Sequence, residues 1–370
     1  MANHAALEGV EVTQFSNIYR GRRVILTGHT GFKGSWLALW LQQLGAEVTG
    51  VALAPSTVPS HWALQHLPID EHIVDIRDAD AMARIFAAVQ PEILFHLAAQ
   101  PLVRRSYVDP AETWSTNVVG TCNVLDACRK AGGVQAIVNI TTDKCYQNNE
   151  WLWGYRETDR LGGHDPYSAS KAAAELLSAS YRASFFNDPA GPLLATARAG
   201  NVIGGGDWSV DRLIPDMVRA VEANGSLEIR SPRSTRPWQH VLESLSGYLL
   251  LGQHLLERKA AFADAWNFGP EAIGNRTVED VLSRLAALWP AVRWHMTSQA
   301  QPHEAHLLSL DSTKAHRVLG WQPVWGFEEA LRHTADWYRA FVESQQVLSA
   351  EQLRQYGADA AAAGVSWCTP

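Results

Sequence analysis

The chain has 370 residues, 46% of them hydrophobic, so it is long enough to bury one large core or two smaller ones. Its net charge of −7, with 31 basic and 38 acidic residues and no basic run, argues against a nucleic-acid partner. No apolar run approaches the roughly 20 residues that span a bilayer, and no signal pattern opens the chain. Its 4 cysteines form no CxxC pair and no cluster with histidine, so we expect reduced thiols, a cytoplasmic location and no metal site.

Short apolar runs alternate with helical segments through the first half of the chain. Buried parallel strands have this appearance, and a repeat of about 20 to 30 residues is typical of a strand followed by a crossover helix. The fold class is therefore predicted to be α/β, with a doubly wound parallel sheet of the Rossmann type. The predicted strands are Arg23–Thr27, Glu47–Leu53, Ile73–Asp75, Ile93–Leu97, Ala136–Ile140 and Leu193–Ala197.

The alternation loosens after residue 200, where the triplet Gly204-Gly205-Gly206 and a proline-containing stretch at 231–237 interrupt it. We interpret this change as a smaller C-terminal substrate lobe that is interleaved with the first domain. The predicted divisions are an N-terminal extension at 1–21, a dinucleotide-binding domain at 22–200 with returning elements near 240–266, a substrate lobe at 201–345, and a tail at 346–370.

A glycine turn separates the first predicted strand from the first helix. Gly28 allows the tight turn, Gly31 lets the backbone approach a phosphate, and Gly34 allows close helix packing. The first gap is one residue longer than in the usual dinucleotide fingerprint, but the flanking strand and helix favour a pyrophosphate at the helix N-terminus. The candidate cofactor-binding residues of this turn are Gly28, His29, Thr30, Gly31, Phe32, Lys33 and Gly34.

The choice between NAD and NADP depends on the residues near the adenine ribose. The second strand ends at Leu53 without an acid for the ribose 2′-hydroxyl, and no Lys or Arg lies between Val48 and Asp70 to hold a 2′-phosphate. His29 and Lys33 could hold that phosphate instead. Asp75 and Ile76 either flank the adenine or begin a helix. We favour NAD and leave NADP open.

Tyr167 and Lys171 stand four residues apart at the start of a predicted helix after the fifth strand. Residues i and i+4 share a helix face, so the phenol and the ammonium point the same way. A nearby ammonium lowers the pKa of a phenol, and Tyr167 can then deprotonate an alcohol as hydride leaves for a nicotinamide. Thr142 directly follows the fifth strand and either binds the same substrate oxygen or is an ordinary loop hydroxyl.

These features, together with the segment Leu97-Ala98-Ala99-Gln100, resemble the extended short-chain dehydrogenase/reductase family, which acts largely on nucleotide-sugars. The resemblance runs from about residue 21 to about residue 345. It implies a cofactor site that includes Leu97, Ala98, Ala99 and Gln100. It also implies a homodimer, or a higher homo-oligomer, built on the helices predicted at 110–130 and 166–186.

Three segments within this resemblance are similar to the CDP-glucose 4,6-dehydratases: the glycine turn, residues 142–146, and residues 236–241. Sugar 4-epimerases of the family need no acid/base pair after the threonine, so the presence of Asp143 and Lys144 favours dehydration. The dTDP-glucose and GDP-mannose dehydratases typically carry Asp-Glu or a single Glu at these places. Lys144 is the difference that points to the CDP-sugar branch.

The implied reaction converts CDP-glucose to CDP-4-keto-6-deoxyglucose and water, for deoxysugar and lipopolysaccharide O-antigen biosynthesis. Tyr167 accepts the C4 hydroxyl proton, Lys144 removes the C5 proton, and Asp143 protonates the departing C6 hydroxyl. Burial should raise the pKa of Asp143, and burial or a positive neighbour should lower that of Lys144, whereas an ion pair between them would oppose both shifts. Which of the two is the acid stays open.

The resemblance also suggests substrate contacts. It places Asn201 against the sugar or phosphate and Arg236 against the diphosphate, for which a guanidinium is suited by its bidentate geometry. His303 resembles part of the segment that closes the substrate lobe. Two alternative functions stay open, a nucleotide-sugar 4-epimerase and an NAD(P)-sensing binding protein without turnover.

Overall fold

The protein is described from a computed structural model, which covers residues 12–229, 231–270, 275–297 and 308–369. Its strands are short and are distributed over the whole of this range. They are β1 (Thr13–Gln14), β2 (Arg23–Thr27), β3 (Glu47–Ala52), β4 (Asp70–Ile73), β5 (Ile93–His96), β6 (Ala136–Ile140), β7 (Leu193–Ala199), β8 (Val202–Ile203), β9 (Leu227–Ile229), β10 (Thr235–Pro237), β11 (Gln239–His240), β12 (Ala265–Phe268), β13 (Asn275–Thr277), β14 (Trp294–Met296) and β15 (Cys368–Thr369).

Helices connect most of these strands. The α-helices are α1 (Phe32–Gln43), α2 (His61–Gln65), α3 (Ala79–Val89), α4 (Val103–Val108), α5 (Pro110–Trp114), α6 (Thr121–Ala131), α7 (Pro166–Ser184), α8 (Leu213–Glu222), α9 (Val241–Leu256), α10 (Val278–Leu288), α11 (Phe327–Ser344) and α12 (Ser349–Ala363). A π-helical segment, Ser115–Gly120, joins α5 to α6, and Asp143–Cys145 forms a short 3-10 helix after β6. In the described residues, no helix has the length and apolar character needed to cross a membrane.

Seven parallel strands form the central sheet in the order β12-β7-β6-β5-β2-β3-β4. Helices cover both faces: α1 and α9 contribute to one hydrophobic core, and α3 and α6 contribute to the other. The prediction of a doubly wound α/β fold is confirmed. After β2 the chain adds β3 and β4 on one side of that strand and then crosses over to form β5 on its other side. The carboxyl ends of β2 and β5 therefore border the crevice where folds of this kind bind ligands.

Local sequence signals explain where the main helices begin. The Asp78 side chain accepts a hydrogen bond from the backbone of Ala81 and caps α3. Asp165 caps α7 in the same way, with Pro166 at the first helical position, where its missing N–H costs nothing. α7 therefore starts at a fixed residue, which also fixes the orientation of Tyr167 on its first turn.

The third strand lies earlier than predicted, at Asp70–Ile73 rather than Ile73–Asp75, and the second ends at Ala52 rather than Leu53. β4 lies at the edge of the sheet, where polar residues are tolerated. The spacing of apolar residues therefore predicts the bounds of this strand poorly. The sequence returns to the sheet with β12 at Ala265–Phe268, close to the returning elements that were predicted near 240–266.

The smaller lobe contains three two-stranded pairings, β8 with β11, β9 with β14, and β10 with β13. The first two are parallel and the third is antiparallel. The helices α8 and α10 supply buried apolar residues to the same core as α9. The exact division of the chain into domains stays a prediction.

The two ends of the described chain pack against the main body. β1 pairs antiparallel with β15, and the rings of Phe15 and Trp367 stack at 4.9 Å. Tyr356 of α12 lies edge-on to Trp40 of α1, at 5.6 Å. Residues 12–21 and 349–369 are therefore part of the folded core, where the sequence suggested only an extension and a tail.

Candidate active site

The glycine turn follows β2 and leads into α1. Gly28 has φ +77°, and a Cβ there would lie 2.7 Å from the Ala98 backbone nitrogen, so no larger residue fits. A Cβ on Gly34 would overlap the Gly28 carbonyl oxygen. The first residue before the helix, Gly31, supplies no side-chain cap, which leaves the N-terminal amides of α1 to an external acceptor. This cradle fits a pyrophosphate.

Two polar side chains of the turn point away from each other. The His29 ring is fully buried and contacts the Glu71 carboxylate through Nε2 at 2.7 Å, and burial lowers its pKa. Lys33 instead reaches the hydroxyl of Tyr248 on α9, with Nζ 3.2 Å from that oxygen. Thr30 donates its hydroxyl proton to the Leu53 carbonyl at 2.9 Å. The two groups that the sequence offered for a 2′-phosphate therefore both have protein partners.

The segment after β5 lies beside the glycine turn. The backbone amides of Leu97 and Ala98 donate to the Thr27 hydroxyl, at 3.1 and 3.2 Å. The Gln100 side chain donates to the Thr113 hydroxyl at 2.9 Å, which fixes the loop that Ala99 belongs to. These contacts hold the segment at the crevice between β2 and β5.

Asp75 and Ile76, the candidate adenine residues, follow β4. Asp75 forms an ion pair with Arg77 at 2.5 Å, and this contact lowers the pKa of the Asp75 carboxyl. Ile76 is buried and packs where Gly120 leaves space, since a Cβ on that glycine would lie 2.6 Å from the isoleucine. Asp78, not Asp75, caps the following helix.

Tyr167 and Lys171 share the buried face of α7. Lys171 donates from Nζ to the Ile140 carbonyl at the end of β6, at 3.1 Å. Burial, together with the charge of Lys33, lowers the pKa of Lys171 to about 8. Burial also raises the pKa of Tyr167 to about 12, although the nearby Thr142 hydroxyl partly opposes this. The sequence predicted a lowered phenol pKa, and this is wrong for the protein alone because desolvation outweighs the neighbouring charges.

Thr142 and Asp143 lie directly beside Tyr167. The Thr142 hydroxyl donates to Asp143 Oδ1 at 3.0 Å. It is also near enough to the phenol to lower the pKa of Tyr167. The Asp143 carboxyl is buried against Gly200, where an added Cβ would come within 3.1 Å of Oδ2. Burial raises the pKa of Asp143, against the opposing charges of Lys144, Arg236 and Lys33. The direction expected for a carboxylic acid donor is therefore present.

Lys144 differs from its neighbour in exposure, because its side chain is only half-buried. Its backbone amide donates to the Thr142 hydroxyl at 3.3 Å, which ties the residue to the same turn. Its charge acts on Asp143, but among the described ion pairs there is none between these two side chains. The arrangement leaves one buried carboxyl and one half-exposed amine next to the same threonine.

The candidate substrate residues approach from the smaller lobe. Arg236 lies on β10, donates from Nη1 to the Thr235 carbonyl at 2.8 Å, and is close enough to act electrostatically on Asp143. Asn201 directly follows Gly200, the residue that packs against the same carboxyl, and is half-buried. His303 lies outside the described residues.

Sequence reasoning missed several charged or polar groups of the site. Arg212 forms an ion pair of 2.8 Å with Asp207, which raises the arginine pKa, and its charge acts on both Tyr167 and Lys33. Tyr248 is buried on α9, far from the motifs in sequence. The signal in the sequence that could have pointed to these residues was the interruption at Gly204–Gly206, after which the chain returns to the crevice.

A sequence profile of the GDP-mannose 4,6 dehydratase family matches residues 25–334. The chain belongs to the GDP-mannose 4,6 dehydratase family. It is 50% identical over 339 residues to a CDP-glucose 4,6-dehydratase of Salmonella typhimurium, a match that covers 90% of this chain and 94% of the relative. It is also 30% identical to dTDP-glucose 4,6-dehydratase 1 of Escherichia coli, over 72% of this chain and 78% of the relative.

Solved structures with a similar fold include both dehydratases and epimerases. A dTDP-glucose 4,6-dehydratase of Streptomyces venezuelae, with NAD bound, superposes with a TM-score of 0.72 at 26% identity, covering 86% of this chain and 97% of that one. A UDP-glucose 4-epimerase of Thermus thermophilus, in complex with NAD, gives a TM-score of 0.72 at 25% identity, covering 86% and 99%. The overall fold therefore does not separate dehydration from epimerisation, and the side chains of the site must do so.

Proposed function

We propose that the protein is a CDP-glucose 4,6-dehydratase, which converts CDP-glucose to CDP-4-keto-6-deoxyglucose and water with no net redox change. The observation that carries the proposal is the Asp143 carboxyl, buried and bonded to Thr142 beside Tyr167, in a chain half identical to a CDP-glucose 4,6-dehydratase. A buried carboxyl next to the phenol supplies an acid that oxidation of an alcohol alone does not need.

NAD is the cofactor that the residues fit. The glycine cradle has room for a pyrophosphate, and the candidate partners of a 2′-phosphate, His29 and Lys33, contact Glu71 and Tyr248 instead. The related dehydratase of Streptomyces venezuelae was solved with NAD. When bound, NAD accepts hydride from C4 of the sugar and returns it to C6.

Tyr167 acts first, as the base that takes the proton of the C4 hydroxyl. Its raised pKa in the protein alone makes it a weak donor of its own proton, so the phenolate must be stabilised by positive charge. Arg212 and Lys171 supply such charge, and NAD bound in the glycine cradle would add to it. The Thr142 hydroxyl is within reach of the phenol and orients the same substrate oxygen.

Asp143 and Lys144 act next, at C6 and C5. The C4 ketone acidifies the C5 proton, which the half-exposed Lys144 amine removes. Asp143, whose neutral form is favoured by burial, gives its proton to the C6 hydroxyl, which leaves as water. This division of roles is supported by burial, because the buried Asp143 carboxyl favours its neutral form.

The nucleotide diphosphate is assigned to the smaller lobe. Arg236 is near enough to act on Asp143, Asn201 follows Gly200, which packs against the same carboxyl, and a guanidinium suits a diphosphate through bidentate hydrogen bonds. The cytosine base is inferred from the Salmonella relative alone. The product, a 4-keto-6-deoxy sugar, is an early intermediate for deoxysugar units of a surface polysaccharide such as an O-antigen.

A nucleotide-sugar 4-epimerase is the second candidate, because the fold is equally similar to a solved epimerase. An epimerase oxidises and reduces C4 without losing water, and it has no use for a buried acid at C6. A binding protein without turnover would not need Tyr167, Lys171 and Thr142 in one cluster. The arrangement of Asp143 against Thr142 favours the dehydratase.

We also propose that the enzyme is a homodimer that works in the cytoplasm. Trp114 of α5, Val119 of the π-helical segment and Leu176 of α7 are exposed large apolar residues on the helices expected to form a dimer interface. The four cysteines are free thiols, which suits a reducing compartment.

The function is tested by incubating the protein and NAD with CDP-glucose and following the mass of the sugar nucleotide. We expect a product that is lighter by one water molecule and carries a ketone. UDP-glucose, dTDP-glucose and GDP-mannose serve as competing substrates, and Tyr167→Phe serves as the inactive control. Formation of CDP-galactose without loss of water would instead identify a 4-epimerase.

A further inference from the structure

Lys33 contacts Tyr248 and lies near Asp143 of the candidate site, although its position in the glycine turn predicts contact with the cofactor. It stands on the first turn of α1, and α1 packs against α9. Its Nζ is 3.2 Å from the hydroxyl of Tyr248 on α9 and 5.7 Å from the centre of that ring. The side chain is therefore directed across to the helix that covers β6 and β7, where the catalytic segments begin.

The charged groups around Lys33 come from three other elements. Asp143 follows β6, Lys171 lies on α7, and Arg212 precedes α8, and each of them interacts electrostatically with the Lys33 ammonium. Asp143 is the carboxyl of this group, and its charge, when it is ionised, also acts on Tyr248. Lys33 and Tyr248 therefore share one neighbour, the buried carboxyl next to Thr142.

Tyr248 is a fixed partner for this lysine. Its side chain is fully buried, and its ring lies edge-on to Phe268 of β12 at 5.7 Å. Rotation of the ring or a shift of α9 would disturb the packing of the core. The phenol hydroxyl consequently holds the ammonium at one place, which a flexible lysine on a surface would not keep.

Building on the proposed dehydratase function, we propose that Lys33, held by Tyr248, is a positioning residue for the elimination step: its ammonium stabilises the carboxylate that Asp143 becomes on protonating the departing C6 hydroxyl. In this step the Lys144 amine takes the C5 proton, and the electron pair of the C5–H bond forms the C5–C6 double bond. The C6–O bond breaks, and the Asp143 proton goes to the oxygen, so that water leaves.

The charge balance of this step explains why a cation belongs there. Burial raises the pKa of Asp143 and so favours its neutral form, and donation of its proton leaves a buried anion. A buried anion without a partner is costly, and a fixed cation near it lowers that cost in the transition state. Burial lowers the pKa of Lys33 to about 8, and the Asp143 charge opposes this, so the anion formed in the step keeps Lys33 protonated.

The experiment uses the full chain with NAD and rapid mixing with CDP-glucose, and it follows reduced nicotinamide by absorbance and product by mass. In Lys33→Met we expect NAD binding and C4 oxidation near the wild-type level, and dehydration slowed by about 10²-fold, as for loss of one preorganised charge. Reduced nicotinamide then accumulates during turnover. Lys33→Arg, which keeps the charge, restores a substantial part of the rate, and Tyr248→Phe gives a smaller loss of the same kind.

Lys259→Met, which removes an exposed lysine that follows α9, is the matched control and leaves all steps unchanged. If Lys33→Met loses NAD affinity, measured by quenching of tryptophan fluorescence, and slows C4 oxidation and dehydration equally, Lys33 is a cofactor-binding residue and the inference is wrong. If the methionine variant does not fold, Tyr248→Phe decides: accumulation of reduced nicotinamide supports the inference, and its absence overturns it. A wild-type protein that releases no water from CDP-glucose contradicts the proposed function itself.

Discussion

Arg198 donates a hydrogen bond of 2.7 Å to Glu175 beneath the candidate active site, and only 3% of each side chain is exposed. Glu175 stands one helical turn after Lys171 on α7, so the ion pair lies under the Tyr167–Lys171 face. The same carboxylate accepts hydrogen bonds from the hydroxyls of Thr141 and Thr196. The pair therefore connects α7 to β7 and to the residue before Thr142.

Replacement of Glu175 by glutamine is expected to destabilise the protein strongly. It leaves the Arg198 guanidinium buried without its counter-ion, a change that typically costs about 3–5 kcal/mol. The free energy of unfolding, measured by urea denaturation, should fall by that order. The double variant Glu175→Gln/Arg198→Met should recover part of the loss, because no unpaired charge remains. A single variant as stable as the wild type would mean that solvent reaches the arginine.

The same ion pair predicts how stability depends on pH in acid. The Arg198 charge and its hydrogen bonds lower the pKa of Glu175 below 4.5, although burial alone would raise it. A depressed carboxyl pKa means that the unfolded chain binds the proton first, so the stabilisation is fully present above pH 4.5 and is lost as pH falls through the folded value. Urea unfolding at a series of pH values below 5 checks this. In Glu175→Gln that part of the slope should be missing.

Variants of the acid/base pair should separate the oxidation of the sugar from its dehydration. Lys144→Met removes the proposed C5 base, and Asp143→Asn removes the proposed acid, but neither touches the Tyr167 phenol chemistry directly. We expect reduced nicotinamide to appear on addition of CDP-glucose while formation of the 6-deoxy product falls by about 10²- to 10⁴-fold. Hydrogen exchange at C5, followed in deuterated water, should be lost with Lys144→Met and kept with Asp143→Asn. Dehydration at the wild-type rate by the lysine variant would remove Lys144 as the base.

Two alanine substitutions in the glycine turn should have different effects. A Cβ on Gly34 would overlap the Gly28 carbonyl oxygen, so Gly34→Ala is expected to lower the thermal midpoint of unfolding by several degrees as well as NAD affinity. A Cβ on Gly31 would lie 3.4 Å from the same oxygen, an ordinary contact, so Gly31→Ala should keep the stability. Its methyl group would nevertheless stand where backbone is expected to approach phosphate. Calorimetry without and with NAD distinguishes the two, and equal NAD affinity in Gly31→Ala and the wild type would argue against a pyrophosphate at this turn.

Much of the sheet could be predicted from the sequence because its signals are local. The run Arg23–Thr27, the glycines after it and the caps of α3 and α7 each act within a few residues. The sequence could predict that Thr142, Tyr167 and Lys171 lie close together, because the carboxyl ends of parallel strands meet at one edge of the sheet.

The contacts that complete the site are long-range, and no local pattern contains them. Lys33 and Tyr248 are separated by 215 positions, and no pattern in the sequence links the lysine of the glycine turn to this tyrosine. The pKa of Tyr167 was predicted in the wrong direction because the pattern shows the neighbouring lysine but not the depth of burial. The packing of residues 349–369 was also missed, because the surface on α1 that they contact lies near the other end of the chain.

The pairing of Thr13 with Thr369 has a practical consequence for protein engineering. Because these two positions are backbone neighbours, a short linker could join them, and the chain could be reopened elsewhere as a circular permutant. The turn at Asp188–Gly191, which is exposed and lies at the amino ends of the parallel strands, offers a new opening away from the crevice. Such a rearranged chain should retain its fold and its NAD affinity.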